Sequence, residues 1–106
     1  MGSGPETRLV GAIRRAILEA HADAWVVKVA GGPYQEAGIP DLIVCVGGRL
    51  VGLEVKAPRP GESPAAARRR ASAIQLAQLE RIRRAGGSAA VVLSVDEALE
   101  VVNSQM

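Results

Sequence analysis

The chain has 106 residues, of which 48% are hydrophobic, and a net charge of +2. This length fits one domain that can bury roughly two-thirds of the unfolded chain's surface. A single cysteine excludes an internal disulfide, and no apolar stretch approaches the ~20 residues of a membrane span. We therefore expect a soluble, cytoplasmic protein with a single domain over residues 5–106 and a flexible leader or cloning remnant at 1–4.

The first half of the chain predicts one helix and three strands. Apolar residues recur at the spacing of one helix face over residues 6–21, after a proline start signal. A short β-branched strand at 25–30 and a glycine-rich loop follow. The strands 42–46 and 50–56 flank Gly47-Gly48-Arg49, which predicts a hairpin.

The second half predicts a helix, a strand and a closing helix. Two prolines and a glycine over 57–61 end the third strand. The second helix starts between residues 63 and 73, because Ser63-Pro64 and Ser72 both offer start signals, and it stops at Gly86-Gly87. A fourth strand at 89–94 and a helix at 95–102 complete an α/β chain in the order αβββαβα.

Three charged residues fall where a core is expected. Asp41 precedes an apolar strand, and Glu54 and Lys56 lie within the next strand, on the same face as Gly52. Glycine at that position is expected to leave the face open beside the charges. An unpaired charge in a poorly hydrated site costs roughly several kcal/mol of folding free energy unless a partner charge or a metal offsets it.

This arrangement predicts a metal-dependent active site. Two carboxylates supply the hard oxygen ligands that Mg²⁺ or Mn²⁺ prefers, with waters and a substrate phosphate completing the shell. The Lys56 ammonium would hold an attacking water and offset charge in a phosphoryl transition state. The alternative is a surface pair of Glu54 and Lys56 on an edge strand, with Asp41 merely following a turn proline.

The chain resembles the PD-(D/E)xK nuclease superfamily and, within it, the small phage-type VRR-NUC domains, from about Glu6 to Val102. The motifs that carry the resemblance are Gly38-Ile39-Pro40-Asp41, Glu54-Val55-Lys56, Gln75 and Ala85-Gly86-Gly87. The resemblance implies a restriction-endonuclease-like αβββαβα fold, in which helices flank a mixed four-stranded sheet.

The same resemblance implies an activity. It is that of a Mg²⁺- or Mn²⁺-dependent endonuclease that hydrolyses DNA phosphodiesters, selective for branched DNA such as Holliday (four-way) junctions. Two cuts across a junction need two sites, which predicts a homodimer. The location implied is the cytoplasm of a bacterium, or of the host if a phage encodes the protein. The alternative is a non-catalytic DNA-binding module on the same fold.

Carried over position by position, the family implies a role for each site residue. Asp41 and Glu54 bind the metal with the backbone carbonyl of Val55, Lys56 assists the water nucleophile, and Glu6 joins or supports the metal site.

Two of the predicted site residues have rivals or alternatives. Glu19 is a rival of Glu6, but only Glu6 extends the apolar stripe of the first helix toward the sheet. Glu6 has the alternative of a solvent-exposed acid that favours the helix N-terminus. Gln75 is expected to reach Lys56 or a bound phosphate. Its alternative is the capping box of Ser72 and Gln75.

Arginines and one tyrosine are the predicted DNA contacts. Arginine forks suit phosphate oxygens, although solvated helix faces explain the same clusters. The segment 58–71 is longer than in compact family members, which predicts a mobile arm or a helical extension beside the substrate. Cys45 is expected in the core, and Tyr34 has packing as its alternative. The predicted DNA-binding residues are Lys28, Tyr34, Arg68, Arg69 and Arg70.

Overall fold

A computed structural model of the chain describes residues 4–104. Its elements are α1 (Pro5–Ala20), β1 (Trp25–Lys28), β2 (Leu42–Val46), β3 (Arg49–Val55), α2 (Pro64–Arg69), α3 (Ala73–Arg84), β4 (Ser88–Val92) and α4 (Val95–Asn103). Of the leader predicted at 1–4, residues 1–3 lie outside the described residues, and Gly4 is the N-cap of α1. No helix in the described range is long and apolar enough to cross a membrane.

The four strands form one mixed sheet in the order β1-β2-β3-β4. Strand β2 is antiparallel to both of its neighbours, β1 and β3, and β4 is parallel to β3. Gly47 and Gly48 turn β2 into β3, both with positive φ (58° and 78°), as a two-residue hairpin turn requires. The return from β3 to a parallel β4 needs a long crossover, which the intervening helices provide. The predicted restriction-endonuclease-like architecture is confirmed.

The crossover contains two helices where one was predicted. The Ser63 hydroxyl accepts a hydrogen bond from the Ala66 N–H and caps α2. The Ser72 hydroxyl caps α3 in the same way. Both candidate start signals are therefore used, and the extra length of the segment 58–71 is a helical extension. Ala67 anchors it, because its side chain is completely buried.

The core lies between the sheet and helices α1 and α4, and it is aliphatic. Alternation along β2 turns Leu42, Val44 and Val46 toward this side. Ile13 and Ile17 of α1 pack against them and have no exposed surface. Burying a side chain of this size contributes about 1.5–3 kcal/mol, so this layer supplies most of the driving force for folding.

The opposite face of the sheet is only partly covered. Helix α3 packs on β3 and β4, and it leaves uncovered a cross-strand row formed by Trp25, Cys45 and Leu50. All three side chains are exposed. The prediction that Cys45 belongs to the core is therefore wrong. The strand is apolar on both faces, but only the face toward α1 is fully covered.

Candidate metal and catalytic site

The register of the β2–β3 hairpin brings the two predicted metal-binding acids together. Leu42 pairs with Leu53 in the antiparallel ladder, so the next position along places Asp41 opposite Glu54. The backbone N–H of Val55 donates a 2.8 Å hydrogen bond to Asp41 Oδ2 and holds this carboxylate across the strand end. The Asp41 and Glu54 carboxyl groups are close enough for each to affect the pKa of the other.

Glu54 is the one buried charged side chain among the described residues, with 2% of its surface exposed. Its Oε2 lies 3.3 Å from Lys56 Nζ, and its Oε1 is buried without a hydrogen-bond partner. Burial raises the pKa of Glu54 to about 7, and the negative charge of Asp41 adds to this effect, while Lys56 opposes it. A buried oxygen without a partner is unusual and indicates a site made for a ligand.

Burial also raises the pKa of Asp41, although the Val55 N–H and the Lys56 ammonium oppose the increase. The two adjacent carboxyl groups are therefore short of positive charge, with one ammonium group beside them. A divalent cation would supply the missing charge, and the unpartnered Glu54 oxygen is a suitable ligand.

The acids alone do not make a complete metal shell. Within residues 4–104, no group of three or more His, Cys, Asp or Glu side chains is placed to hold a metal ion. A cation at Asp41 and Glu54 would take its remaining ligands from a backbone carbonyl, water or a substrate phosphate. Mg²⁺ is commonly bound in this way, through one or two carboxylates and several waters.

Glu6, the third predicted acid, lies at the edge of this site. Its negative charge raises the pKa of both Asp41 and Glu54, so it is close enough to act on them. Glu6 Oε1 accepts a 3.2 Å hydrogen bond from Arg70, and 45% of its side chain is exposed. Its rival, Glu19, is exposed near the other end of α1.

The face beside Gly52 is closed, which corrects the expectation that this glycine leaves it open. A Cβ at Gly52 would lie 2.7 Å from Ile82 Cδ1 and 3.1 Å from Pro40 Cγ. Glycine is thus needed because α3 and the loop before Asp41 approach the strand closely. The cavity nearest to this strand end lies beyond Lys56, where Glu6, Ala57 and Arg70 line it.

Gln75 forms the capping box that the sequence offered as its alternative. Its Oε1 accepts a 2.9 Å hydrogen bond from the Ser72 N–H, and its own N–H donates to the Ser72 hydroxyl at 3.1 Å. The side chain is half-buried. No described hydrogen bond uses Gln75 Nε2, so the predicted role toward a phosphate now concerns this amide nitrogen.

The predicted DNA-binding side chains differ in their exposure and in whether they already form ion pairs within the protein. Lys28 and Arg69 are exposed, and Tyr34 is fully exposed, so the alternative of a packed tyrosine is wrong. Arg68 donates two hydrogen bonds to Glu97 at 2.7 and 3.1 Å and a third to a backbone carbonyl. Arg70 is also held by ion pairs.

One residue near the site was missed in the sequence analysis. Glu62 accepts hydrogen bonds from the Arg70 side chain and from the Arg59 N–H, which together lower its pKa to about 2. It lies in an irregular segment, where periodicity gives no signal. The one hint in the sequence is that Glu62 lies within the segment 58–71, whose extra length was noted above.

A solved structure described as a VRR_NUC domain is similar to this chain, with a TM-score of 0.67 and 25% sequence identity. The alignment covers 98% of this chain and 100% of that one. No protein-family model and no curated protein matches the sequence. The similarity therefore extends over the whole fold, including the strands and helices that carry the predicted site.

Proposed function

We propose that the chain, whose fold is similar over its whole length to a VRR_NUC domain structure, is a metal-dependent endonuclease that hydrolyses DNA phosphodiester bonds. One observation carries the proposal. Asp41, Glu54 and Lys56, from separate positions in the sequence, meet at one strand end around a buried carboxylate oxygen that has no partner.

Asp41 and Glu54 are the proposed ligands of Mg²⁺ or Mn²⁺, with the backbone carbonyl of Val55 and, directly or through water, Glu6. When bound, such an ion supplies Lewis acidity and lowers the pKa of a coordinated water. The protein's contribution is position. Asp41 is fixed by the Val55 N–H at 2.8 Å, and Glu54 is fixed by burial and by Lys56.

Lys56 is the proposed partner of the attacking water. Its ammonium group has three N–H donors, and the contact with Glu54 Oε2 at 3.3 Å occupies one of them. The remaining donors would orient the water and stabilise negative charge on the phosphoryl oxygens as the P–O bond to the leaving oxygen breaks. With 13% of its side chain exposed, Lys56 reaches the surface at the site.

Gln75 and Glu6 are the proposed supporting residues. Gln75 is pre-oriented because its Oε1 is bound to the start of α3, which leaves Nε2 to donate to a phosphate oxygen. Glu6 adds negative charge at the edge of the pair and so favours cation binding.

The proposed DNA contacts are the exposed residues Lys28, Tyr34 and Arg69. A fully exposed tyrosine ring is suited to stacking on an unpaired base, and the two cations are suited to phosphates. Contacts by Arg68 and Arg70 would have to use N–H groups left over from their ion pairs. Unpaired bases occur in the single-stranded arms of forks and flaps, so stacking by Tyr34 would favour branched DNA of these kinds.

Resolution of a four-way junction by paired cuts requires two active sites, so we propose that the chain acts as a homodimer. The exposed row of Trp25, Cys45 and Leu50 shows that the molecule has apolar surface outside its core.

The test is cleavage of labelled single-stranded, duplex, flap, fork and four-way DNAs, with and without Mn²⁺. We expect the wild-type protein to cleave DNA only when the metal is present. Asp41→Ala and Lys56→Ala should each lower the rate by at least about 100-fold, because each removes part of one catalytic unit.

Asp23→Ala is the matched control, because Asp23 is an exposed acid in the turn after α1. It should cleave at the wild-type rate. Metal-dependent cleavage that survives both Asp41→Ala and Lys56→Ala would place the site elsewhere. DNA binding without cleavage by the wild-type protein would favour a non-catalytic binding module.

A further inference from the structure

Arg70 joins three segments of the chain next to the proposed site. Its Nε and Nη2 donate to the two carboxylate oxygens of Glu62 at 2.9 and 3.1 Å. Nη2 also donates to the backbone carbonyl of Ala57 at 2.7 Å, and Nη1 donates to Glu6 at 3.2 Å. One guanidinium group thus connects the helical extension, the exit of β3 and the start of α1.

Two of these partners belong to the surroundings of the site. Ala57 directly follows Lys56, so the hydrogen bond to its carbonyl restrains the chain one residue beyond the proposed nucleophile-binding lysine. The Lys56 N–H is bound on the other side to the Val92 carbonyl at 3.0 Å. Glu6 is the acid that acts on Asp41 and Glu54. Arg70 therefore restrains the site from two directions.

The guanidinium group has little capacity for other ligands. Its four hydrogen bonds use four of the five N–H groups that an arginine has. The Arg70 side chain is 19% exposed, whereas that of Arg68, two residues earlier on α2, is 43% exposed. These contacts point inward, toward the protein.

We propose that Arg70 is a positioning residue, which holds Lys56 and Glu6 in their working arrangement and does not bind substrate phosphate. The proposal rests on the proposed nuclease function and extends it to a residue outside the acids and the lysine. In this role the helical extension serves as the platform that brings Arg70 to the site, because α2 ends at the residue before it.

Substitution of Arg70 separates positioning from phosphate binding. Arg70→Gln should lower kcat by about 10- to 100-fold, as small misplacements of catalytic groups do, with KM for DNA changed by less than about threefold. Arg70→Lys should not restore kcat, because a single ammonium cannot span Glu62, Ala57 and Glu6. Glu62→Gln should also lower kcat, by a smaller factor than Arg70→Gln.

The matched control is Glu80→Gln. It weakens the exposed ion pairs that Glu80 forms with Arg83 and Arg84 on α3. Its kcat and KM should stay at wild-type values, and its thermal stability shows how much the loss of such a pair affects the fold. If Arg70→Gln fails to fold, Arg70→Lys and Glu62→Gln carry the test.

A second readout does not depend on cleavage. Amide hydrogen exchange over residues 55–57 should be faster in Arg70→Gln than in the wild type and in Glu80→Gln, because loss of the bond to the Ala57 carbonyl lets this segment open more often. A raised KM with unchanged kcat would identify Arg70 as a phosphate contact and overturn the proposal, as would unchanged exchange at 55–57. A wild-type protein that cleaves no DNA refutes the nuclease function, and the exchange comparison still decides the positioning role.

Discussion

At the scale of single residues, Glu54 is the most costly and the most informative side chain. Its carboxyl group is 2% exposed, has one ammonium partner and has one oxygen without a partner. Burying such a group costs free energy of folding, because it loses its contacts with water. Active sites commonly retain such groups, because a ligand compensates for the cost when it binds. We therefore expect Glu54 to lower the stability of the metal-free protein.

Glu54→Gln should test this cost through its dependence on pH. The folded state keeps the Glu54 proton up to a pKa of about 7, and the unfolded state loses it near 4.5, so stability falls as pH rises between these values. In metal-free buffer, Gln should then stabilise the protein by up to about 3 kcal/mol at about pH 8 and by almost nothing at about pH 4.5.

Chemical denaturation of both proteins across that range measures the difference. A difference between wild type and Glu54→Gln that is constant with pH would show that Glu54 does not titrate in this way.

Metal binding should depend on pH for the same reason. The ion binds the deprotonated carboxylate, so below a pKa of about 7 it has to displace a proton from Glu54. Mn²⁺ affinity should fall by up to about tenfold for each pH unit below 7 and level off above it. Calorimetric titration at several pH values checks this, and an affinity that is flat from pH 5.5 to 8 would contradict it.

At the scale of the elements, the sequence predicted what is locally encoded. The hairpin follows from its glycine turn, α1 from its apolar period, and α3 from its cap. The start of the second helix could not be predicted, because the sequence offers two serine caps nine residues apart. The structure uses both, and the helix is divided into α2 and α3. Cys45 is exposed because α3 covers only part of its face of the sheet. The residues of β2 alone cannot predict how far a helix from another part of the chain extends over that face.

Of the candidate site, the meeting of Asp41 with Glu54 could be predicted from the hairpin register. The contacts of Arg70 could not be, because they join residues 6, 57, 62 and 70 across three segments that have no common periodicity. The closure around Gly52 was missed for a similar reason, since Ile82 arrives from a distant helix.

Gly38 shows how an element-scale contact constrains the site loop. Its φ is +80°, and a Cβ there would lie 2.5 Å from a side-chain atom and 2.8 Å from the backbone oxygen of Ile74 at the start of α3. Gly38→Ala should therefore cost more than the ~1 kcal/mol typical of a strained positive φ alone.

Gly61→Ala is the matched control for Gly38→Ala. Gly61 has φ +77° and no atom within 4 Å of an added Cβ, so it isolates the backbone effect. Thermal unfolding of the two variants measures the difference. Equal losses of stability would show that α3 and the loop before Asp41 are not in close contact.

At the scale of the whole molecule, the chain is small and carries one proposed site per copy. A protein of 11.0 kDa that makes paired cuts in a four-way junction has to present two copies. The net charge of +2 is low for binding DNA, so exposed cations rather than overall charge should provide the attraction.

Light scattering coupled to gel filtration should give a molar mass about twice 11.0 kDa at micromolar concentration, with or without Mn²⁺, as expected of a symmetric dimer. A monomer that nevertheless cuts both strands of a junction in one encounter would contradict the dimer proposal and leave the site itself unaffected.

The most direct test of the proposed centre is a calorimetric titration of Mn²⁺ at about pH 8, where Glu54 is charged. The proteins compared are the wild type, Asp41→Asn, and Glu19→Gln as an exposed acid distant from the site. The wild type and Glu19→Gln should show the same binding event, and Asp41→Asn should lose it. Absence of binding to the wild type, or equal binding to Asp41→Asn, would contradict a cation site at Asp41 and Glu54.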